Sequence, residues 1–502
     1  MTQAYASNDH ERIDSQETEV ITPVPAQSFI HLLPDELLED IFLLSIDNFQ
    51  PSSSSTKGIL RTRSTILGVC QRWRDIGLSF SRLWSYIRVS VGKSQRTDRL
   101  ISILEKQLTR AKGLPLTISI RSTRCCPEVV EALMPYSNQW YSFDLYAPSS
   151  MHRSFVLVKG KLALLHRLKL RIRSHWDWNT PPNFDIVSNI YHPAPSLKYM
   201  DTVDFANKIH TSFPFPWRHL TSWSGSISSI NEIRRLATQV SDLQTLKLEE
   251  WVSPRPTHQY PVVKSNPEAN LSLTHLEYLQ IHIKSPSAER LNLSHLPACP
   301  RLRRLVIWQR VNRTTSDTEP LRLSHFLLSV SDSLTTFEYM TAYPITDVIS
   351  LLGSSAPNLL VNLRINSDST SVDVRKVFNQ LRYLQSGDPA ERWMPPAIFP
   401  RLENLHLSFN ASVDLPNALV STIRSRWPSD SSQILHPTAR LRSVVLEFAP
   451  PREGSFSRSE KKLRELCQEF EGLEASLAVR KSIIFPWPCE PGLNEVGTME
   501  TY

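Results

Sequence analysis

Four basic residues occupy every second position in Arg167-x-Lys169-x-Arg171-x-Arg173. In an extended strand alternate side chains share a face, so the four project together. Guanidinium and ammonium groups gathered this way suit an acidic or phosphorylated segment through charge-assisted hydrogen bonds. The plainer expectation is a solvated strand. Trp308, at an outward strand position with arginine neighbours, is a second place where a partner could be held, since tryptophan is over-represented among interface hot spots. Catalytic chemistry is not spelled out. There is no Gly-x-Gly-x-x-Gly, no Walker phosphate loop, no His-Glu-x-x-His and no Gly-x-Ser-x-Gly. The fifteen histidines lack metal-ligand spacing, and none of the six cysteines forms a Cys-x-x-Cys pair. Cys125 and Cys126 are adjacent, the wrong spacing for a zinc hook, and Cys70 reads as a small buried residue. No catalytic residue, cofactor or metal site is expected, and the Asn-x-Ser/Thr sequons at Asn270, Asn292 and Asn312 read as chance matches.

Composition bounds what can position such residues. At 502 residues the chain exceeds one ordinary core, so several domains or a repeat array is the expectation. Hydrophobic residues make up 40% of it, with twelve Trp, nineteen Phe and thirteen Tyr, which excludes a wholly disordered chain. Glycine is scarce, 13 residues in all, leaving few places where backbone could wrap a phosphate. The net charge of +7 is spread along the chain, supporting solubility and weak anion attraction more than nucleic-acid binding. Six cysteines are too few for a secreted disulfide scaffold. Met1 to Glu19 is polar without an apolar signal core, and no apolar run reaches the length of a membrane span. A cytoplasmic or nuclear protein is the expectation.

Residues 1–27 read as a disordered tail. Pro34, with Asp35 and Glu36 behind it, marks the first turn of a helix. Leu37, Ile41 and Leu44 recur at i, i+4 and i+7, with Leu38 and Phe42 on another side; which stripe faces outward stays open. A serine-rich loop at Gln50–Ser55 precedes a second helix over Ser64–Leu78. Ser81–Trp84 leads into a short strand, Tyr86–Val89, and a third helix over Asp98–Lys112 is closed by Gly113 and Pro115.

From about residue 160 a phrase recurs: an apolar residue, two variable ones, then apolar alternation. It reads Leu165-His-Arg-Leu168-Lys-Leu170, Leu243-Gln-Thr-Leu246-Lys-Leu248, Leu276-Glu-Tyr-Leu279-Gln-Ile281 and Leu302-Arg-Arg-Leu305-Val-Ile307. Further copies begin at Leu334, Leu360, Leu402 and Leu441, and weaker ones at Leu197 and Leu220. Spacings of 23 to 42 residues lie in the range of repeat architectures, with room for helices such as Ile230–Val240 and Thr346–Leu352 between strands. One strand–helix unit cannot bury its own apolar face, so units stack. An α/β fold with an irregular leucine-rich-repeat-like solenoid over 156–450 follows. Residues 89–155 are expected as a connecting helix and strands, and 451–502 as a capping helix, Arg458–Leu473, and a tail.

Leu33-Pro34-x-Glu36-Leu37-Leu38-x-x-Ile41-Phe42, then Val69-Cys70-Gln71-Arg72-Trp73 and Leu83-Trp84, resembles an F-box over residues 28–88. That resemblance implies a compact helical unit docking on a Skp-family adaptor, and through it on a cullin scaffold. The chain would be a non-catalytic substrate receptor of an SCF-type ubiquitin ligase, with an unknown protein target and neither nucleic acid nor membrane as partner. Adaptor contacts are expected among Pro34, Leu37, Leu38, Ile41, Phe42 and Trp73, although such a unit needs several of these for its own core. Target contacts are expected on the concave face at Arg167, Lys169, Arg171 and Trp308. Two departures stand out. The serine-rich Asp47–Thr65 link is long, which favours an alternative reading as an interaction scaffold outside any ligase. The turn asparagine of regular repeats is matched only by Asn410, its other places holding Arg173, Trp251, Lys284 and Arg310, so irregular repeats without an asparagine ladder are expected.

Overall fold

The structure is a computed structural model describing residues 29–47, 56–92, 97–172, 190–191, 194–202, 217–227, 230–250, 272–283, 296–309, 323–341, 345–355, 359–367, 374–381, 399–409, 421–423, 426, 441–448, 465, 468 and 474–479. Residues 1–27, Arg173, Trp251, Lys284, Arg310 and Asn410 lie outside these, as does Arg458–Leu473 apart from the exposed Glu465 and Gln468.

Among the described residues four α-helices precede the strands: α1 (Asp35–Asp47), α2 (Thr56–Gly68), α3 (Gln71–Ser79) and α4 (Ser81–Trp84). Pro34 stands just ahead of α1, its carbonyl accepting the Leu38 N–H at 3.2 Å. The single helix expected over Ser64–Leu78 is in fact two. Cys70 takes extended backbone (φ −157°), and its Sγ lies 3.5 Å from the Trp73 N–H, so it caps α3 from outside instead of lying within a helix. Because α2 begins at Thr56, the link from α1 is shorter than the composition implied. Leu38, Phe42, Ile46, Ile66, Ile76 and Leu83 form the buried centre. Gly77 lets α2 and α3 approach: a Cβ there would stand 2.7 Å from Leu67 Cδ2.

Among the described residues fourteen strands then form one parallel sheet in strict chain order. They are β1 (Tyr86–Val91), β2 (Leu116–Ser122), β3 (Trp140–Ala147), β4 (Arg167–Ile172), β5 (Tyr199–Thr202), β6 (Ser222–Ile227) and β7 (Thr245–Glu250), continuing with β8 (Tyr278–Ile283), β9 (Arg304–Gln309), β10 (Thr336–Thr341), β11 (Asn362–Ser367), β12 (Asn404–Phe409), β13 (Ser443–Phe448) and β14 (Glu474–Val479). Helices lie between them: α5 (Thr97–Arg110), α6 (Pro127–Leu133), α7 (Ser149–Arg153), α8 (Ile230–Gln239), α9 (Ser324–Ser329), α10 (Ile345–Ser355) and α11 (Val374–Leu381). After α5 the chain turns at Gly113, whose φ of +80° favours glycine.

The recurring phrase sets the register. Its second apolar residue aligns from strand to strand as Leu246, Leu279, Leu305, Phe337, Leu363, Leu405 and Val444. Its first apolar residue closes a turn: the N–H groups of Leu165, Leu197, Leu220, Leu276, Leu302 and Leu402 each bond the carbonyl three residues back at 3.1–3.2 Å. Pro195, Pro300 and Pro400 occupy the second position of that turn, where their fixed φ fits. The residue after the first leucine continues the ladder, the carbonyls of His166, Lys198, Thr221, Gln244, Glu277, Arg303, Thr335, Val361 and Glu403 each accepting from the next unit.

The sheet does not begin near residue 156. It starts at Tyr86, and β3 pairs with β4 from Ser142↔Arg167 to Ala147↔Ile172 without a break. The early strands fill the same core rows with Ile87 and Val89, Ile118 and Ile120, and Phe143 and Leu145, which do not match a leucine phrase. At the other end β14 adds a strand beyond 450. All-parallel sheets are normally covered on both faces and then read as continuous apolar runs. Burial alternates along β6 and β10, so among the described residues one face carries the core and the other is mainly polar, part of it exposed and part, as at Arg88, Ser119, His282 and Asn366, buried.

Candidate functional site

Two surfaces stand out. The first is on α1, where Leu38 and Phe42 point into the helical unit, both 0% exposed. Trp73 is half-buried against Phe42, ring centroids 5.1 Å apart. Leu38 and Phe42 therefore leave the set of candidate adaptor contacts, because the unit needs them for its own core. The opposite stripe faces out: Leu37, Ile41 and Leu44 are 49%, 38% and 61% exposed. Pro34 is exposed at the head of this stripe, and Leu32 in the turn before it is exposed as well. Arg72 of α3 holds the entry in place, donating to the Leu33 carbonyl at 2.6 Å and pairing with Asp35.

The second surface is the open face of the sheet, whose residues form rows across the strands. One row runs Arg88, Ser119, Asp144, Lys169, Asp201 over β1–β5. The next runs Arg121, Tyr146, Arg171 over β2–β4. Arg167, Lys169 and Arg171 do share this face, as their alternation required, but they are not a bare basic strip. Lys169 stands between two carboxylates and pairs with Asp201 at 3.0 Å, while Arg171 reaches Asp201 at 4.0 Å. Arg167 lies over the Tyr199 ring, 5.1 Å from its centroid. Asp144 accepts from Ser119 Oγ at 3.2 Å; burial raises its pKa above the usual range although Lys169, Arg171 and Arg121 all act to lower it. Asp144, Asp201, Arg121 and Tyr146 were not legible as site residues, because only strand register brings them beside β4.

Farther along, the face is balanced in charge. Glu249, His282, Trp308, Met340, Asn366, Ser408 and Glu447 form one row over β7–β13. Trp308 lies on this face, as its alternation required, but half-buried: it stacks on His282, centroids 4.1 Å apart and planes 15° from parallel. Its indole N–H is buried without a hydrogen-bond partner. His282 pairs with Glu249 at 3.5 Å, and Gln280 joins it to Tyr278. His406 lies 3.4 Å from Glu447; burial and then Arg364 lower its pKa against the pull of Glu447 and Glu338. Asn404 donates to Asn362 at 2.6 Å and Asn362 to Thr336 at 3.0 Å, so a short amide ladder exists at the start of β10–β12, away from the turn position where one was sought.

Among the described residues, no three His, Cys, Asp or Glu side chains gather as a metal site. No described helix is long and apolar enough to cross a membrane. Compared with known protein families and with characterised proteins, the sequence matches none.

Proposed function

We propose that this chain is a substrate receptor of an SCF-type cullin–RING ubiquitin ligase. In this reading the four-helix unit is an F-box docking on a Skp-family adaptor, and the sheet is an irregular leucine-rich-repeat-like solenoid whose open face holds a target protein. The observation that carries it is the outward Leu37–Ile41–Leu44 stripe on a unit whose centre is packed by Leu38, Phe42, Ile46, Ile66, Ile76 and Leu83. An apolar helix face held out in this way is what a helical partner would cover. The receptor forms no covalent intermediate; it contributes proximity, holding a target lysine near the charged conjugating enzyme.

The test is co-expression with a Skp-family adaptor followed by size exclusion, with a Leu37→Asp/Ile41→Asp variant alongside. Co-elution of the wild type, lost in the variant while its circular dichroism is unchanged, supports the reading. A folded wild type that elutes alone overturns it and leaves a repeat scaffold outside any ligase.

A further inference from the structure

Because the sheet is parallel, its strands start along one edge, and the turns that precede them stand side by side. Ahead of β2, β4, β5 and β6 those turns carry Lys112, Lys159, Lys161, Lys198 and Arg218. No Asp or Glu stands among residues 111–115, 134–141, 159–166, 194–199 and 217–221, which make up this stretch of the edge. Acids enter farther along, with Asp242 ahead of β7 and Glu277 ahead of β8. The side chains of Lys161, Lys198 and Arg218 have no hydrogen-bond or ion-pair partner among the described residues. These cations are far apart in the chain, and strand order gathers them.

The link from α7 to β4 adds apolar side chains to this edge. Phe155, Val158, Leu162 and Leu165 are buried and pin it to the core. The Lys159, Lys161 and Leu165 N–H groups close successive turns on the carbonyls of Val156, Val158 and Leu162 at 3.0–3.3 Å, and Gly160 takes a φ of +78°, which favours glycine. The side chains between these anchors are held outward: Val156, Leu157 and Leu164 are 49%, 62% and 47% exposed. Tyr141 and Tyr199 are exposed as well, the first stacked on His166 with ring centroids 5.1 Å apart and the second edge-on to it at 5.2 Å.

We propose that this edge docks on an anionic membrane surface. The aliphatic tips enter the acyl boundary, the tyrosine rings settle at headgroup depth, and the lysines and Arg218 meet anionic lipid. Such docking needs no spanning helix, in keeping with the described helices. It departs from the expectation that no membrane is a partner, which considered spanning runs alone. A nucleic acid would be met by the cations only, and its phosphates give the leucine tips nothing to bury against. Docking of this kind takes nothing from α1 and so stands apart from the receptor reading.

The test is co-sedimentation of the full chain with vesicles of phosphatidylcholine alone and of phosphatidylcholine with roughly 30% phosphatidylserine. Binding is expected to the second and not to the first, declining as salt is raised. Lys161→Gln/Lys198→Gln/Arg218→Gln should weaken it about a hundredfold. Leu157→Ser/Leu164→Ser, which leaves the charge unchanged, should weaken it at least about tenfold. Arg301→Gln, ahead of β9, should change nothing. Leu157→Trp should give an emission that shifts to the blue when phosphatidylserine vesicles are added, a readout that stands should the serine variant not fold. No sedimentation with phosphatidylserine vesicles, a serine variant that binds as the wild type does, or release of bound protein by an equimolar single-stranded oligonucleotide overturns the proposal. Leu37→Asp/Ile41→Asp should sediment like the wild type, so failure of the receptor reading is seen separately.

Discussion

Leu37 and Leu38 are neighbours in the chain and opposite in role. Leu38→Ala opens a cavity in the helical core and should cost about 2–5 kcal/mol, read as a lower urea midpoint. Leu37→Ala should leave the midpoint within about 0.5 kcal/mol and act only on the proposed adaptor binding. A second residue-level consequence concerns His152, wholly buried on α7. Burial lowers its pKa from 6.5 to about 4, although the backbones of Arg171 and Ala147 bond it. The folded state thus resists protonation while the unfolded state accepts it. The stability from keeping His152 neutral is complete above about pH 6.5 and declines as pH falls toward 4, by an amount on the order of 3 kcal/mol. Urea unfolding across that range should show the decline, and His152→Gln should flatten it.

The weakest copies of the phrase have a packing explanation. In β6 the third apolar position holds Gly225, and Trp223 lies over it: a Cβ on Gly225 would stand 2.4 Å from Trp223 Cζ2. The indole N–H reaches the buried Thr202 hydroxyl of β5 at 3.3 Å, so one large side chain serves where other units use two aliphatic ones. Gly225→Leu alone should therefore overpack the unit and cost about 1–3 kcal/mol. Adding Trp223→Leu should recover much of the loss by restoring the ordinary phrase, a coupling that a double-mutant cycle in thermal unfolding would show as non-additivity. These strands were the hardest to read because pattern matching counts leucines, whereas packing counts volume. The split of the second helix was hidden for a related reason: apolar spacing continues across Val69 and Cys70, and only the extended backbone at Cys70 breaks it.

The helical unit and the sheet are joined through Trp84. Its indole N–H donates to the Gly77 carbonyl at 2.8 Å, and the guanidinium groups of Arg63 and Arg110 lie over its rings at 5.3 and 4.5 Å. Arg63, buried in α2, also donates to the carbonyl of Tyr86, the first residue of β1, and burial lowers its pKa to about 10. In the proposed receptor role such a joint would keep a held target at a fixed distance from the adaptor. Trp84→Ala should cost about 3–5 kcal/mol and raise hydrogen exchange in both α1 and β2. A loss of protection confined to α1 would show that the two parts open independently.

Periodicity alone determined much of this molecule: the start of α1, the strand phrases from Leu165 to Leu446, their alternating faces and the helices between them. These are local properties, set by the 3.6-residue and two-residue repeats of the backbone, and a short window of sequence contains them. The tertiary structure decided which side of α1 faces out, where the sheet begins, that Trp308 is taken up by His282, and that the basic strand β4 lies beside Asp144 and Asp201. Each depends on which residues, 20 to 40 positions away in the chain, come to stand alongside, and strand register brings them there without leaving a mark in any one segment.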